Sequence, residues 1–343
     1  MKTIYSDDHR GHAGAKEFHL GEMVPMFEMP RRIDMILARM AAVGRNDIVA
    51  PQTFGDAAIL AVHDPAYVMF LSQAWDLWKQ ECEQDFALPF TFIAPSMRKV
   101  EPSSIHGKLG RYAFDLAVPF VAGTWQAARS AVDVALTGQT LVAGGARASF
   151  ALCRPPGHHA LADMGGGYCY LNNAAIAAQA FRDQGAARVA ILDVDYHHGN
   201  GSQSIFYARP DVLFVSLHGD PMTEFPYYLG YGDETGAAAG EGFNLNLPLP
   251  PGTAWPTYGE ALQAGLARIR DFGPDALVVS LGVDTFKDDP ISAFKLENND
   301  YLKIGEAIAG LGRPTLFVME GGYAVEDIGV NTVNVLTGFE AVA

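Results

Sequence analysis

The residues with the clearest chemistry are Asp193, Asp195 and His197, which follow an apolar run from Val189 to Leu192. The run predicts a buried strand, and because side chains alternate along an extended chain, these three residues project to the same side. Two carboxylates on one side repel each other unless a cation or a proton lies between them. Carboxylate oxygen and imidazole nitrogen both suit zinc, and three protein ligands leave one position open, so the pattern predicts a catalytic metal site.

Asp284 supplies the missing carboxylate, because it ends a second apolar strand that runs from Val278 to Val283. We predict that Asp195, His197 and Asp284 hold one divalent ion whose charge offsets the two carboxylates. An ion held in this way lowers the pKa of a bound water and polarises a carbonyl oxygen. Asp193 is better placed behind these ligands, where it binds a histidine or a further cation.

His158 and His159 follow the stiff segment Pro155-Pro156-Gly157. Adjacent histidines suit a base that deprotonates a water molecule and an acid that protonates a leaving amine. Such histidines need hydrogen-bond partners that fix their tautomers, and we assign Asp193 to His158 and Asn200 to His159.

Tyr323 follows Gly321-Gly322, a flexible pair that lets the side chain swing towards the metal. A phenol in that position can donate a hydrogen bond to the oxyanion of a tetrahedral intermediate. Together, a metal, a histidine pair and a phenol donor predict the hydrolysis of an amide.

The elements that carry these residues alternate between strands and helices. The predicted strands that precede them are Ser149–Leu152, Val189–Leu192, Val212–Ser216, Ala276–Leu281 and Thr315–Met319. Apolar strands separated by helices predict a parallel sheet that is covered on both faces. Since ligands bind beyond the carboxyl ends of such strands, we expect all five strand ends to converge on one rim.

The remaining pattern is helical, apart from a short first strand at Lys2 to Tyr5. The predicted helices are Arg31–Val43, Pro65–Lys79, Trp125–Leu136, Asn172–Asp183, Tyr258–Asp271, Tyr301–Leu311 and Ile328–Leu336. The segment from Glu83 to Gly110 carries prolines without a clear period, which predicts a long loop with a role in function or in an interface. No linker-like composition divides the chain, so we expect residues 1–343 to form a single domain.

Composition limits the classes of partner. The chain has 343 residues and a net charge of −15, which argues against nucleic acid or an anionic membrane and is compatible with a small cationic substrate. Three cysteines, Cys82, Cys153 and Cys169, are too few for a disulfide framework. With no apolar stretch of about 20 residues and no signal-like N-terminus, we expect a cytoplasmic enzyme.

Taken together, the motifs resemble the zinc-dependent deacetylases of the histone deacetylase superfamily. The matching segments are Cys153–His159, Gly165–Cys169, Asn172–Ala175, Asp193–Gly201, Ser216–His218, Gly282–Asp284 and Glu320–Tyr323. The resemblance implies an arginase-like three-layer α/β/α sandwich with a mainly parallel central sheet. It also implies zinc, or ferrous iron, at Asp195, His197 and Asp284, with His158, His159 and Tyr323 as catalytic groups.

Two further features are implied by the same resemblance. The first is a structural potassium ion, for which the implied ligands are Asp193, Asp195, His197 and the backbone of Ser216 and Leu217. The second is a homodimer, in which the early loop near residues 83–110 forms a contact that narrows the mouth of the active site.

Within the superfamily, the chain is similar to bacterial acetylpolyamine amidohydrolases. The segments that carry this similarity are Tyr5–His9 with Glu17 and Glu28–Pro30, Phe214–Pro221, Phe225–Tyr231 and Gly282–Ser292. The chain departs from the family pattern at Ile105-His106-Gly107, where the family has a glutamate that faces the polyamine, and at Ala117, a second acidic position.

We therefore predict the hydrolysis of acetylated diamines such as acetylputrescine and acetylcadaverine to acetate and free amine. The predicted substrate-binding residues are Glu17, His106, Cys153, Gly167, Tyr168 and Phe225. Aromatic walls at Tyr168 and Phe225 would bury a methylene chain and hold a cation. The alternatives are a deacetylase of acetyl-lysine in proteins, an arginase-like ureohydrolase with two manganese ions, and a non-catalytic binding protein on the same fold.

Overall fold

The structure is a computed structural model that describes residues 1–342. Its strands are β1 (Lys2–Ile4), β2 (Lys16–His19), β3 (Glu22–Pro25), β4 (Ile48–Val49), β5 (Ala148–Ala151), β6 (Val189–Asp193), β7 (Val212–Gly219), β8 (Asn244–Leu249), β9 (Ala276–Leu281) and β10 (Thr315–Met319). Eight of them form a parallel sheet in the spatial order β4-β1-β5-β10-β9-β6-β7-β8, and β2 and β3 form a separate antiparallel hairpin.

Helices cover both faces of this sheet. They are α1 (Arg31–Ala42), α2 (Ala57–Leu60), α3 (Pro65–Glu81), α4 (Ile105–Arg111), α5 (Thr124–Ala143), α6 (Asn173–Asp183), α7 (Asn200–Phe206), α8 (Trp255–Phe272), α9 (Asp300–Ala309) and α10 (Val325–Ala341). Within residues 1–342, none of the helices has the length and apolar character needed to cross a membrane.

Alternation along the central strands divides the core between two faces. Ala190 and Leu192 of β6 pack with α1, α8, α9 and α10, whereas Val189 and Ile191 pack with α5 and α6. All four of these strand residues are fully buried, as expected for a parallel strand that is covered on both sides. The three-layer α/β/α architecture predicted from the sequence is confirmed, while the single domain stays a prediction.

The differences from the predicted elements have physical reasons. Helix α5 continues to Ala143, past the predicted end at Leu136. Gly138 is a weak helix former, which favours a helix end near Leu136, but in the structure this glycine lies against the sheet. A Cβ at Gly138 would come within 2.7 Å of a Leu316 methyl group, so the glycine permits close packing there. Strand β8 was not predicted. It lies at the edge of the sheet and contains Asn244, Asn246 and Pro248, which are residue types that are uncommon in strands.

The predicted early loop is partly helical. From Glu83 to Ser104 the chain has only an isolated bridge between Ala87 and Phe120, and α4 then begins at Ile105. The Ser104 hydroxyl accepts a hydrogen bond from the amide of His106 and thereby caps this helix. The segment remains mostly irregular, but its last residues form a short, regular element.

The five strands that precede the candidate residues are neighbours at the centre of the sheet, in the order β5-β10-β9-β6-β7. Because they are all parallel, their carboxyl ends lie at one edge. The expected convergence of five loops on a single rim is therefore confirmed, and it follows from the topology of the sheet.

Candidate active site

The structure brings Asp195, His197 and Asp284 together at the ends of the neighbouring strands β6 and β9. Their ligand atoms all lie within 4.8 Å of one another. The Nδ1 atom of His197 is 3.0 Å from Oδ2 of Asp284 and 3.4 Å from Oδ1 of Asp195. Both carboxylates are inaccessible to solvent, and the imidazole is 9% exposed, so an ion at this position would be almost completely enclosed by the protein.

The electrostatics of the carboxylate pair fit a divalent cation. Burial and the negative charge of Asp195 raise the pKa of Asp284. Burial alone would also raise the pKa of Asp195, but the positively charged His158 and His197 outweigh it and hold that pKa below its ordinary value. When one buried carboxylate has a lowered pKa and its neighbour has a raised pKa, the pair holds a single proton unless a cation replaces it. One imidazole and two carboxylates match the ligands that zinc takes in catalytic sites.

Glycines leave space for this pair. A Cβ at Gly282 would lie 2.0 Å from Oδ2 of Asp195, and a Cβ at Gly321 would lie 2.6 Å from the Oδ2 atoms of both Asp195 and Asp284. Backbone amides also hold the carboxylates in place: Gly321 donates to Asp195 and Tyr196 donates to Asp284, at 2.8 and 2.7 Å respectively. The oxygens therefore have fixed directions before any ion binds.

The histidine pair has the partners predicted from the sequence. Nδ1 of His158 donates to Oδ2 of Asp193 at 3.0 Å, and Nδ1 of His159 donates to Oδ1 of Asn200 at 2.7 Å. The two rings are 3.9 Å apart, and both side chains are buried. Each histidine therefore presents its Nε2 atom for other contacts.

The two partners differ in charge, which separates the proton affinities of the rings. Burial lowers the pKa of His158, but Asp193 and Asp195 outweigh burial and raise it to about 10. Burial, followed by the positive charges of His158 and His197, lowers the pKa of His159 well below its ordinary value. Considering the protein groups alone, His158 is the cationic member of the pair and His159 is the neutral one.

Glu320 fixes the loop that carries these histidines, a role that the sequence did not reveal. Its Oε2 atom accepts hydrogen bonds from the amides of Gly157 and His158, at 2.6 and 3.2 Å. The carboxyl group is fully buried, and burial raises its pKa to about 7. The residue occurs in the Glu-Gly-Gly-Tyr motif, but only the fold shows that it bridges the ends of β10 and β5.

Two other side chains hold the Tyr323 loop. Oδ2 of Asp289 accepts hydrogen bonds from the amides of Tyr323 and Ala324, at 2.7 and 3.2 Å. From the opposite side, Arg32 donates to the carbonyls of Gly322 and Glu320, and its guanidinium lies 4.9 Å from the centre of the Tyr323 ring. The Gly-Gly segment is therefore constrained, although the sequence suggested a hinge.

A buried ion-pair network anchors Arg32. Oε1 of Glu28 accepts from Nη1 of Arg32 and from Nε of Arg154, each at 2.8 Å. Arg154 also donates to the carbonyls of His9 and His12, so the N-terminal segment is tied to the loop before the histidine pair. Glu28 and Arg32 are four residues apart, but Arg154 lies far along the chain, so no local sequence pattern identifies the whole network.

A cleft of about 370 Å³ opens above the candidate metal ligands. Its lining residues are Phe18, His19, Asp115, Leu116, Ala117, His159, Gly167, Tyr168, His197, Glu224, Phe225, Tyr227, Ile291 and Tyr323. The ring of Phe225 lies edge-on to His159, with 4.9 Å between ring centres, and Tyr168 is 5.5 Å from Tyr323. The cleft therefore combines aromatic walls with the carboxylates of Asp115 and Glu224.

The predicted substrate-binding residues fall into two groups. Gly167, Tyr168 and Phe225 line the cleft, and Glu17 lies beside it, close to Tyr168. Burial raises the pKa of Glu17 to about 7. His106 and Cys153 do not line the cleft, and their roles at the substrate stay predictions.

The surroundings of those two residues explain the difference. His106 lies 3.7 Å from Sγ of Cys82 and packs edge-on against Trp78. Cys153 follows strand β5 and is buried in the core between the sheet and helices α5 and α6, where its thiol donates to the carbonyl of Ala131. A residue next to a catalytic loop can therefore face the core, which a sequence motif does not distinguish from facing the substrate.

The implied potassium ligands also lie close together. Asp193 and Ser216 are directly paired in adjacent strands β6 and β7, and Leu217 follows Ser216. Oδ1 of Asp193 accepts a hydrogen bond from the amide of Asp195 at 3.1 Å, and Oδ1 of Asp195 accepts one from the backbone amide of His197 at 3.0 Å. The potassium ion at these residues stays a prediction.

Comparison with known proteins assigns a family to this arrangement. The histone deacetylase domain matches residues 26–339, so the chain belongs to the histone deacetylase family and is an enzyme of the deacetylase or amidohydrolase class. It is 58% identical over 342 residues to acetylpolyamine amidohydrolase 2 of Pseudomonas aeruginosa, covering 100% of this chain and 99% of that protein.

Two other comparisons agree. Acetylpolyamine amidohydrolase of Mycoplana ramosa is 50% identical over 338 residues, with 98% of this chain and 99% of that protein covered. The crystal structure of acetylpolyamine aminohydrolase from Burkholderia pseudomallei, from an iodide soak, superposes with a TM-score of 0.94 at 41% identity, covering 100% of this chain and 99% of that one. The resemblance seen in the motifs is confirmed.

Replacing Asp284 by Ala tests the metal assignment. We expect the Asp284→Ala variant to lose its divalent ion and its activity together, because Asp195 and His197 alone cannot complete the ligand set. Elemental analysis of purified protein, with circular dichroism to establish folding, measures the result. Full metal occupancy in a folded Asp284→Ala variant would contradict the assignment.

Replacing Asp289 by Ala tests whether this residue positions Tyr323. We expect kcat to fall by about tenfold to a hundredfold, since a small misplacement of a reacting group has an effect of this size. If Asp289 acts through the phenol, the same replacement in a Tyr323→Phe background should cost almost nothing further. The exposed neighbour Asp288, replaced by Ala, is the control. Equal proportional losses in both backgrounds would show that Asp289 only stabilises the fold.

Proposed function

We propose that this enzyme hydrolyses the acetyl amide of small N-acetylated diamines and polyamines, such as acetylputrescine and acetylcadaverine, to acetate and the free amine. The observation that carries the proposal is a group of three candidate metal ligands beside a cleft that His159, His197 and Tyr323 line. The relatives named acetylpolyamine amidohydrolase support the substrate class.

A zinc or ferrous ion would be held by Asp195, His197 and Asp284, one per chain. When bound, such an ion polarises the acetyl carbonyl and makes a water molecule more acidic. The proposal includes a potassium ion, with Asp193, Asp195, His197 and the backbone of Ser216 and Leu217 as its ligands. It also includes a cytoplasmic location, which is supported by three unpaired cysteines in residues 1–342.

The histidines divide the proton transfers. His159 lines the cleft and is the neutral member of the pair, so it is placed to accept the proton of the attacking water. His158 carries a proton through its contact with Asp193, so it stabilises negative charge that develops beside it and is the candidate acid for the leaving amine. The carbon–nitrogen bond breaks as that amine is protonated, and the acetyl carbon retains the water oxygen as acetate.

Tyr323 is the candidate donor to the acetyl oxygen. Its ring is buried against Arg32 and Tyr168, and burial raises its pKa well above the ordinary value, so the phenol keeps its proton. A donor that is held in place before the reaction stabilises the charge that forms on the oxygen in the transition state.

The cleft suits a slender cationic substrate. Phe225 and Tyr168 can enclose a methylene chain, while Asp115 and Glu224 give the cleft negative charge. The net charge of −15 acts in the same direction by attracting a distal ammonium group. We propose that a homodimer contact through the early loop narrows the entrance further.

Replacing Tyr323 by Phe removes only the phenolic hydroxyl. We expect metal content and KM to remain nearly unchanged and kcat to fall by about 10² to 10³, as for the loss of one oxyanion donor. Steady-state kinetics on acetylputrescine with metal-defined protein measure the change. Turnover at the wild-type rate would mean that Tyr323 is a structural residue.

Comparison of substrates tests the proposed substrate class. We expect kcat/KM for acetylputrescine and acetylcadaverine to exceed that for acetyl-lysine peptides, because a peptide backbone brings bulk on both sides of the lysine. A variant made monomeric should admit larger substrates, since the steric part of the preference depends on the dimer. A tenfold or greater preference for the peptides would instead identify a protein deacetylase.

A further inference from the structure

A second cluster of potential metal ligands lies behind the histidine pair. His158, Cys169 and Glu320 are each buried, and their ligand atoms all lie within 4.8 Å of one another. They come from three separate segments: the loop after β5, the glycine-rich turn at 165–169 and the end of β10. None of the three belongs to the Asp195, His197 and Asp284 set.

Glu320 and His158 each retain an atom that is free to bind an ion. Oε1 of Glu320 is buried and has no hydrogen-bond partner among the described residues, whereas its Oε2 holds the amides of Gly157 and His158. Nδ1 of His158 is engaged by Asp193, which leaves Nε2 available. The thiol of Cys169 donates to the carbonyl of Gly167 at 3.4 Å, a hydrogen bond that it would lose with its proton on binding an ion. A buried oxygen without a partner costs about 1–3 kcal/mol, so its retention calls for an explanation.

The donor set has the chemistry of a zinc site. Imidazole nitrogen, thiolate sulfur and carboxylate oxygen are the ligands that zinc takes, and thiolate disfavours magnesium and calcium. The thiolate and the carboxylate supply two negative charges, which offset one divalent ion without help from the catalytic ligands. With bonds of about 2.0 to 2.3 Å, the donors need to move inward by roughly 1 Å or less.

We propose that His158, Cys169 and Glu320 form a second, inhibitory site for a thiophilic divalent ion such as zinc. An ion on Nε2 of His158 removes that nitrogen from catalysis, a consequence that rests on the proposed function. The site fills after the catalytic one, because its thiol must lose a proton before it can bind the ion. Stoichiometric metal then activates the enzyme, and excess metal inhibits it.

A cobalt titration detects the site without measuring activity. Protein that has been loaded with one equivalent of zinc is titrated with Co²⁺, and the thiolate-to-cobalt charge-transfer band in the near ultraviolet is recorded. We expect the band to develop with one further ion per chain, to disappear in Cys169→Ser and to persist in the control Cys82→Ser. Absence of the band in the wild type, or its persistence in Cys169→Ser, would overturn the proposal.

Glu320→Gln provides a second variant, because glutamine keeps an oxygen that can accept from the two amides while it removes the negative charge. We expect Co²⁺ to bind this variant at least about tenfold more weakly, equivalent to 1.4 kcal/mol or more. Unchanged affinity would exclude Glu320 as a ligand and contradict the proposed site.

The inhibitory role is measured for each protein as the ratio of kcat/KM at one equivalent of zinc to kcat/KM at several equivalents. We expect wild-type kcat/KM to fall by about tenfold or more between one and several equivalents of zinc, and Cys169→Ser to show little change. Equal inhibition of both proteins would contradict the inhibitory role. Since the cobalt band needs no substrate, failure of the enzyme to act on acetylated diamines would leave the metal site intact and reject only the proposed function.

Discussion

Asp195 and Asp284 place two carboxylates in a fully buried position near the ends of the neighbouring strands β6 and β9. Because solvent is excluded there, the repulsion between their charges is only weakly screened. Two glycines leave room for them, and two backbone amides fix their direction. Such an arrangement is stable only when a proton or a cation compensates the charge. A divalent ion satisfies this requirement and leaves a position open for a substrate, so the constraint that destabilises the bare pair is also the basis of the chemistry.

The surrounding charges are arranged so that this centre keeps one geometry. Glu28 joins Arg32 and Arg154 in a buried network, and Arg32 in turn holds the backbone on which Tyr323 is mounted. Glu320 holds the histidine loop from the other side. The loops after β5 and β10 are thus held by side chains as well as by the sheet, which agrees with the need to place reacting groups accurately.

The sequence was sufficient for the features that depend on local spacing. The chain does not stay extended through Asp195 and His197, because β6 ends at Asp193 and a bend follows. The positions of these residues after two strands nevertheless predicted that they meet Asp284, and the partners of both histidines were identified correctly. It was not sufficient where a role depends on contacts between distant segments. Arg32 and Glu320 are 288 residues apart, and nothing near either residue indicates their contact. Cys153 illustrates the same limit, since its motif places it next to the histidine loop but does not reveal that its thiol donates to the carbonyl of Ala131.

Proton release on metal binding tests the central claim most directly. Burial and Asp195 raise the pKa of Asp284, and the neighbouring carboxylates outweigh burial to raise that of His197 to about 10, so both hold protons near neutral pH until an ion displaces them. Because raised pKa values favour the protonated, ion-free protein, zinc affinity should increase with pH. Calorimetry in buffers of different ionisation enthalpy should show release of at least one proton per ion at pH 7. Binding without proton release, or with an affinity independent of pH, would contradict the account.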